Sequence, residues 1–216
     1  MIRGLIFYFD GLILDTEMPI YTAWRECYAD HGHDLLIETY QQCIGTDFAD
    51  YNPHTELEQL TGRSLDEDEL GVIRRSRIAE LLEDAAPMPG IESLLAQARQ
   101  AEIGCAVASS SSKDWVPSWL ERLELAEYFQ HVVTVDLVQR PKPSPELFQL
   151  AAARLGLDPD EVLILEDSLN GLRAAQTAGM RCLVVPCDVT RTIEFEGATH
   201  RVESLAEMSL QQLLAL

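Results

Sequence analysis

Leu5-Ile6-Phe7-Tyr8-Phe9-Asp10-Gly11-Leu12-Ile13-Leu14-Asp15-Thr16 is the stretch that decides the reading of this chain. Its first five residues are apolar without a break. A strand with one wet face alternates apolar and polar residues, so a continuous run marks a strand covered on both faces, as in a parallel sheet. The acids that follow immediately place polar chemistry at the carboxyl end of that strand. Four more short runs share the pattern, at residues 105–108, 132–135, 162–165 and 182–185. Helical periodicity fills the spaces between them. Residues 91–101 follow the Pro89-Gly90 turn, residues 114–123 carry Trp115, Trp119 and Leu123 four apart, residues 145–155 repeat Leu147, Leu150, Ala151 and Leu155, and residues 172–178 stop at Gly179. Strand alternating with helix predicts an α/β fold, a Rossmann-like doubly wound parallel sheet with right-handed crossovers.

One region breaks the alternation. Helices are expected over residues 16–32, 53–60 and 66–82, with no strand among them, before Met88-Pro89-Gly90 re-enters the core. The expected organisation is a first core strand in residues 1–15, a small all-helical cap inserted over 16–87, and the remaining core in 88–216.

Composition narrows the function. The 216 residues hold 16 Lys and Arg against 36 Asp and Glu, a formal charge of −20. A chain so acidic repels nucleic acid and anionic membranes but still admits a small anion at one local site. With 47% hydrophobic and 24% charged residues, the composition is that of a globular protein. No stretch reaches the roughly 18 apolar residues of a membrane helix. Five cysteines, an odd number without a C-x-x-C, fit thiols in a reducing cytoplasm, and the expected state is a monomer or weak homo-oligomer.

Ligands of an open parallel sheet bind at the carboxyl ends of its strands. Those ends carry Asp10 and Asp15, then Ser109-Ser110-Ser111-Ser112-Lys113, then Arg140-Pro141-Lys142-Pro143, then Glu166-Asp167-Ser168. Hydroxyls and helix N-terminal amides cradle phosphate, a lysine neutralises its oxygens, and carboxylates hold a hard cation such as Mg²⁺. Each segment alone has a plain reading: a polar loop for the serines, a surface residue for Lys142, a helix-dipole pair for Glu166-Asp167. Four in order, each after its own strand, point to metal-assisted phosphoryl transfer.

In these segments the chain resembles the haloacid dehalogenase-like (HAD) hydrolases, in particular their β-phosphoglucomutase-like branch. The resemblance runs over essentially the whole chain and implies a phosphatase of a small phosphorylated metabolite, such as a sugar or nucleoside phosphate. It makes Asp10 the general acid/base and the donor of a backbone carbonyl to Mg²⁺. It makes Ser109, with Ser110, the grip on the phosphoryl group, Lys142 the motif lysine, and Glu166 and Asp167 the metal carboxylates. It also makes residues 42–47, including Gly45 and Thr46, the specificity loop of the cap. Asp15 and Thr16, the latter an N-cap by type, read as hinge structure, and Asn170-Gly171 as helix packing. Arg74 and Arg75 are either a solvated helix face or a subsite for a second anionic group. The stretch Glu17-Met18-Pro19-Ile20 lacks the histidine of the sugar-phosphate mutases, which favours hydrolysis over mutase chemistry.

The family's nucleophile is an aspartate two residues before Asp10, and here that position is Tyr8. A phenol with a pKa near 10 is neutral at pH 7, a poor nucleophile and a poor ligand for Mg²⁺. The expectation is an impaired phosphatase. The alternatives are a non-catalytic phosphate-binding relative, attack by water or another carboxylate, and a true tyrosine nucleophile.

Overall fold

The computed structural model describes residues 1–44 and 51–216, so Gly45 and Thr46 lie outside the described residues. In chain order the principal elements are β1 (Gly4–Phe7), α1 (Glu17–Asp30), α2 (Ile37–Tyr40), α3 (Pro53–Thr61), α4 (Glu67–Leu81), α5 (Ile91–Gln100), β2 (Gly104–Ala108), α6 (Trp115–Arg122), β3 (His131–Val133), α7 (Glu146–Leu155), β4 (Val162–Glu166), α8 (Leu169–Thr177), β5 (Arg181–Val184), β6 (His200–Arg201) and α9 (Leu210–Leu214). The strands form one parallel sheet in the order β3-β2-β1-β4-β5-β6. The chain therefore winds outward from β1 to β3, returns to β4 on the other side, and leaves its topological switch point between β1 and β4.

The continuous apolar runs serve the two faces of this sheet by alternation. Leu5 and Phe7 join one core cluster with α5, α6 and α9, while Ile6 joins a second with α7 and α8. Complete burial of each such side chain is worth about 1.5–3 kcal/mol, which makes β1 the seam of the core. A one-residue slip would exchange its faces, and the register Leu5 with Cys105 and Leu163 fixes it.

Two differences from the expected elements have plain causes. Strand β1 ends at Phe7, not Phe9, because the Phe9 carbonyl accepts the Ile13 N–H at 2.9 Å and starts a tight turn through Asp10. Hydrophobicity persists through that turn, so composition alone did not mark the strand's end. Strand β6 was not expected at all: its two exposed polar residues, His200 and Arg201, carry none of the apolar signal of a buried strand.

Apart from an isolated bridge between Asp10 and Leu14, the regular elements of the described residues between β1 and α5 are helices. Local chemistry sets their ends. Asn52 accepts the His54 N–H before Pro53 at the start of α3, and Asp66 accepts two amide N–H groups at 3.0 Å at the start of α4. Tyr21, Trp24 and Tyr28 of α1, with Tyr40, Leu57 and Leu70, form a third cluster, which also takes in Cys187 and Val189 from beyond β5. All five cysteines are buried. No helix among the described residues is long and apolar enough to cross a membrane.

Candidate active site

The turn after β1 carries the first functional side chain. Asp10 is 3% exposed, and its carboxylate accepts four hydrogen bonds. Thr16 Oγ1 at 2.9 Å and Trp115 Nε1 at 3.0 Å reach Oδ1, and Ser109 Oγ at 3.2 Å and Ser111 Oγ at 2.7 Å reach Oδ2. The strand ends thus bring Asp10 and the serine loop together. Ser110 Oγ is buried and has no partner among the described residues. Thr16 stands at the N-cap of α1, but its hydroxyl makes no cap and goes to Asp10 instead.

Lys142 and Glu166 meet in a fully buried salt bridge. Oε2 of Glu166 accepts from the N–H groups of Asp167 and Ser168 at 2.8 Å and from Ser168 Oγ at 2.9 Å. Every Glu166 oxygen is therefore engaged by lysine or by the β4–α8 turn. Gly171 packs against it: a Cβ at that position would overlap the Glu166 carboxylate, a closer role than the helix packing expected of Asn170-Gly171. Asn170 itself donates to the Ile44 carbonyl at 2.9 Å, tying α8 to the helical region.

Asp167 is the opposite case. It is fully buried, and neither oxygen has a hydrogen-bond partner at ordinary distance, the Cys187 thiol adding only a weak interaction. Gly11, at φ +76°, lets the turn after β1 approach so closely that a Cβ there would overlap the Asp167 carboxylate. Burial, and then the neighbouring carboxylates Glu166 and Glu17, raise the Asp167 pKa well above the usual carboxylate range. A buried carboxylate without donors has the chemistry of a cation ligand. Of the expected metal set Asp10, Glu166 and Asp167, only Asp167 offers bare oxygens. No group of three or more His, Cys, Asp or Glu among the described residues is arranged to hold a metal ion.

Tyr8 extends the pairing of β1 by one step, its N–H donating to the Leu165 carbonyl at 3.0 Å. Its ring lies beside the Lys142 ammonium, which sits 3.6 Å from the ring centroid and 4.7 Å from that of Phe148. Burial, then Asp10, Glu17, Asp167 and Glu166, push the Tyr8 pKa well above its ordinary value. The phenol is held neutral.

A cavity of about 560 Å³ opens over Tyr8, Asp10 and the serine loop, while Ser109, Lys142, Glu166 and Asp167 lie buried outside its lining. Tyr8, Asp10 and Ser110–Ser112 line its floor. Ile20, Tyr40, Ile44, Ile78 and the arginines Arg74 and Arg75 line it from the helical region, and Trp115, Trp119 and Arg122 from α6. Arg74 is only partly solvated, its guanidinium stacked 3.6 Å over the Trp24 ring, whereas Arg77 turns away to Glu26 and Glu80. Glu17 also lines the cavity, 5% exposed, and burial followed by the charges of Asp10 and Asp15 raises its pKa from 4.5 to about 8.

Glu17 and Trp115 line the cavity without having been given a role from the sequence, and Ser111 was placed there only as part of the serine loop. Trp115 was legible only as one of a helical-period pair with Trp119. Glu17 entered the sequence reading only through the stretch Glu17-Met18-Pro19-Ile20, which lacks the mutase histidine.

The parallel sheet, the switch point and the convergence of Asp10, Ser109, Lys142, Glu166 and Asp167 define a hydrolase of the HAD type. Residues 5–185 match the haloacid dehalogenase-like hydrolase family, and the chain belongs to it. It is 44% identical over 214 residues, 99% of this chain and 97% of the relative, to a Bacillus subtilis (strain 168) protein named "Putative phosphatase YhcW". It is 31% identical to the fructose-1-phosphate phosphatase YqaB of Escherichia coli (strain K12), over 82% of this chain and 93% of the relative. The crystal structure of CbbY from Rhodobacter sphaeroides in complex with phosphate superposes with a TM-score of 0.76 at 32% identity, covering 99% of both chains. A β-phosphoglucomutase from Clostridium difficile shares the fold, at TM-score 0.76 and 22% identity over 98% of this chain and 95% of that one. By family the chain is a phosphoric monoester hydrolase.

Proposed function

We propose that this crevice is the active site of a Mg²⁺-dependent phosphatase of a small phosphorylated metabolite, a sugar phosphate in the first place, and that Tyr8 impairs it. The observation that carries the reading is the neutral Tyr8 ring set over Lys142, in the middle of an otherwise complete set of phosphate-site groups. The relatives named as phosphatases, one of them for fructose 1-phosphate, support the substrate class.

In this reading Ser109, Ser110 and Lys142 hold the transferring phosphoryl group. Asp10 is placed to give a proton to the leaving alcohol; in Tyr8→Asp the introduced carboxylate would take the phosphoryl group as an acyl phosphate, and Asp10 would then take a proton from the water that hydrolyses it. Asp167 and the Asp10 main-chain carbonyl would hold Mg²⁺, which when bound neutralises charge on the phosphoryl oxygens. Glu166 acts one step back, fixing Lys142 and the β4–α8 turn. The helical region, residues 16–87, is a cap over the crevice, and Arg74 and Arg75 face a second anionic group of the substrate. What the described site lacks is a nucleophile: burial and the surrounding carboxylates keep the proton on the Tyr8 phenol, and no described side chain is hydrogen-bonded to it as a base. The mutase alternative has less support, since no histidine lines the described cavity.

The test is an aryl phosphate assay with Mg²⁺ on this chain and on Tyr8→Asp, followed by hexose phosphates. The expected result is a gain of about 100-fold or more in kcat/KM for Tyr8→Asp. No gain sinks the phosphatase reading. A chain already as fast as its Tyr8→Asp variant sinks the impairment by Tyr8.

A further inference from the structure

The four donors on Asp10 are not equivalent. Three are hydroxyls, from Thr16, Ser109 and Ser111, which rotate and accept as readily as they donate. The fourth is the indole N–H of Trp115, which only donates and belongs to a rigid plane. A donor-only group at Oδ1, held in a rigid plane, fixes where that oxygen lies.

Trp115 is itself braced. Its ring packs edge to face on Trp119 with centroids 5.7 Å apart, and the Arg122 guanidinium lies 4.6 Å over the Trp119 ring. Arg122 also donates to the carbonyl of Glu83, in the segment that leads from α4 back to the core. That segment is fastened at its far end by the Met88 N–H, which donates to the Ile13 carbonyl at 2.8 Å in the turn that carries Asp10. The chain crosses between the helical region and the core twice, at Thr16 and over residues 83–88. Both crossings reach the same Asp10 oxygen, Thr16 directly and Glu83 through Arg122, Trp119 and Trp115.

We propose that Trp115 is a positioning residue for Asp10, and that Trp119 and Arg122 set its indole according to where the Glu83 segment lies. This goes beyond the phosphatase reading, on which only the kinetic half of its test rests.

The test follows the indole N–H signals of the three tryptophans by ¹H–¹⁵N correlation on the intact chain. Trp115→Phe identifies the Trp115 signal by its disappearance. Asp10→Asn keeps the shape and one acceptor but removes the charge, and is expected to move the Trp115 signal upfield by more than its linewidth while leaving that of Trp24 in place. Arg122→Ala is expected to move or broaden the same Trp115 signal. In the Tyr8→Asp background, Trp115→Phe is expected to lower kcat about 10-fold with KM within about twofold, the loss of one hydrogen bond to a charged group. A Trp115 signal that ignores Asp10→Asn overturns the positioning role, and one that ignores Arg122→Ala overturns the bracing. A Trp115→Phe effect carried by KM instead of kcat makes Trp115 a substrate contact and also overturns the role. An inactive Tyr8→Asp variant counts against the phosphatase reading alone, and the indole signals still decide this one.

Discussion

Replacing Lys142 with methionine isolates the interaction that holds the floor of the site. Lys142 and Glu166 are both excluded from solvent and paired to each other. Methionine fills much of the same volume without charge, leaving Glu166 Oε1 buried and unpaired. Removing one partner of a buried pair costs about 3–5 kcal/mol. The lost contacts of the ammonium with the Tyr8 and Phe148 rings add about 0.5–2 kcal/mol. The three donors that remain on Oε2 soften the first figure, because the carboxylate stays partly solvated by the β4–α8 turn. The expected loss is about 4 kcal/mol, or roughly 8–16 °C in Tm for a chain of this size. Urea unfolding followed by circular dichroism measures it, in a cycle with Glu166→Gln and the double variant. The singles are expected to couple by about 2 kcal/mol, the double variant being less unstable than their sum. A loss below about 1 kcal/mol, or effects that simply add, refutes the argument that this pair is the electrostatic anchor of the site.

Three other outcomes follow from the same geometry. Glu17 ionises above about pH 4.5 in the unfolded chain but holds its proton to about pH 8 in the folded one, so its contribution to stability falls as pH rises between those values. Glu17→Gln is therefore expected to be more stable than the parent at pH 8, on the order of several kcal/mol, and level with it at pH 4; an equal difference at both values in urea titrations contradicts this. Gly171→Ala is expected to destabilise by about 1–3 kcal/mol through overlap with Glu166, although alanine is the better helix former; stabilisation in thermal unfolding shows that the overlap is relieved cheaply. Tyr8→Asp is expected to unfold at lower temperature than the parent without Mg²⁺ and to recover with it, while the parent responds weakly; calorimetric titration checks the binding directly.

The sheet was legible because burial on both faces writes itself as short continuous apolar runs, and β1, β2, β4 and β5 lie where those runs lie. The order of acids, serines and lysine after successive strands was legible because parallel strands put their carboxyl ends on one edge. Exact contacts were not. Glu166 and Asp167 are adjacent and chemically alike, yet one is saturated by Lys142 and the β4–α8 turn while the other has bare oxygens. Gly171 and Gly11 allow backbone to approach the two carboxylates closely, but the donors that saturate Glu166 come from Lys142, Asp167 and Ser168. Thr16 looked like a cap by type, and only the fold shows its hydroxyl drawn to Asp10. The pairing of Trp115 with Asp10 spans 105 residues of sequence and has no local signature.

The effect of Tyr8 is best judged against the charge already buried around it. Asp10, Glu17, Glu166 and Asp167 are buried with Lys142 as the one buried lysine among the described residues. Glu17 and Asp167 answer that excess by holding protons more tightly, and Asp10 by collecting four donors. A carboxylate in place of Tyr8 would add a fifth acid, and only a divalent cation offsets so many. Tyr8 removes that demand. Its ring gives Lys142 a polarisable face at 3.6 Å and no further charge. On the proposed reading, the side chain that withholds the nucleophile also withholds a charge that the cation would offset, and Tyr8→Asp is expected to restore chemistry and Mg²⁺ binding together.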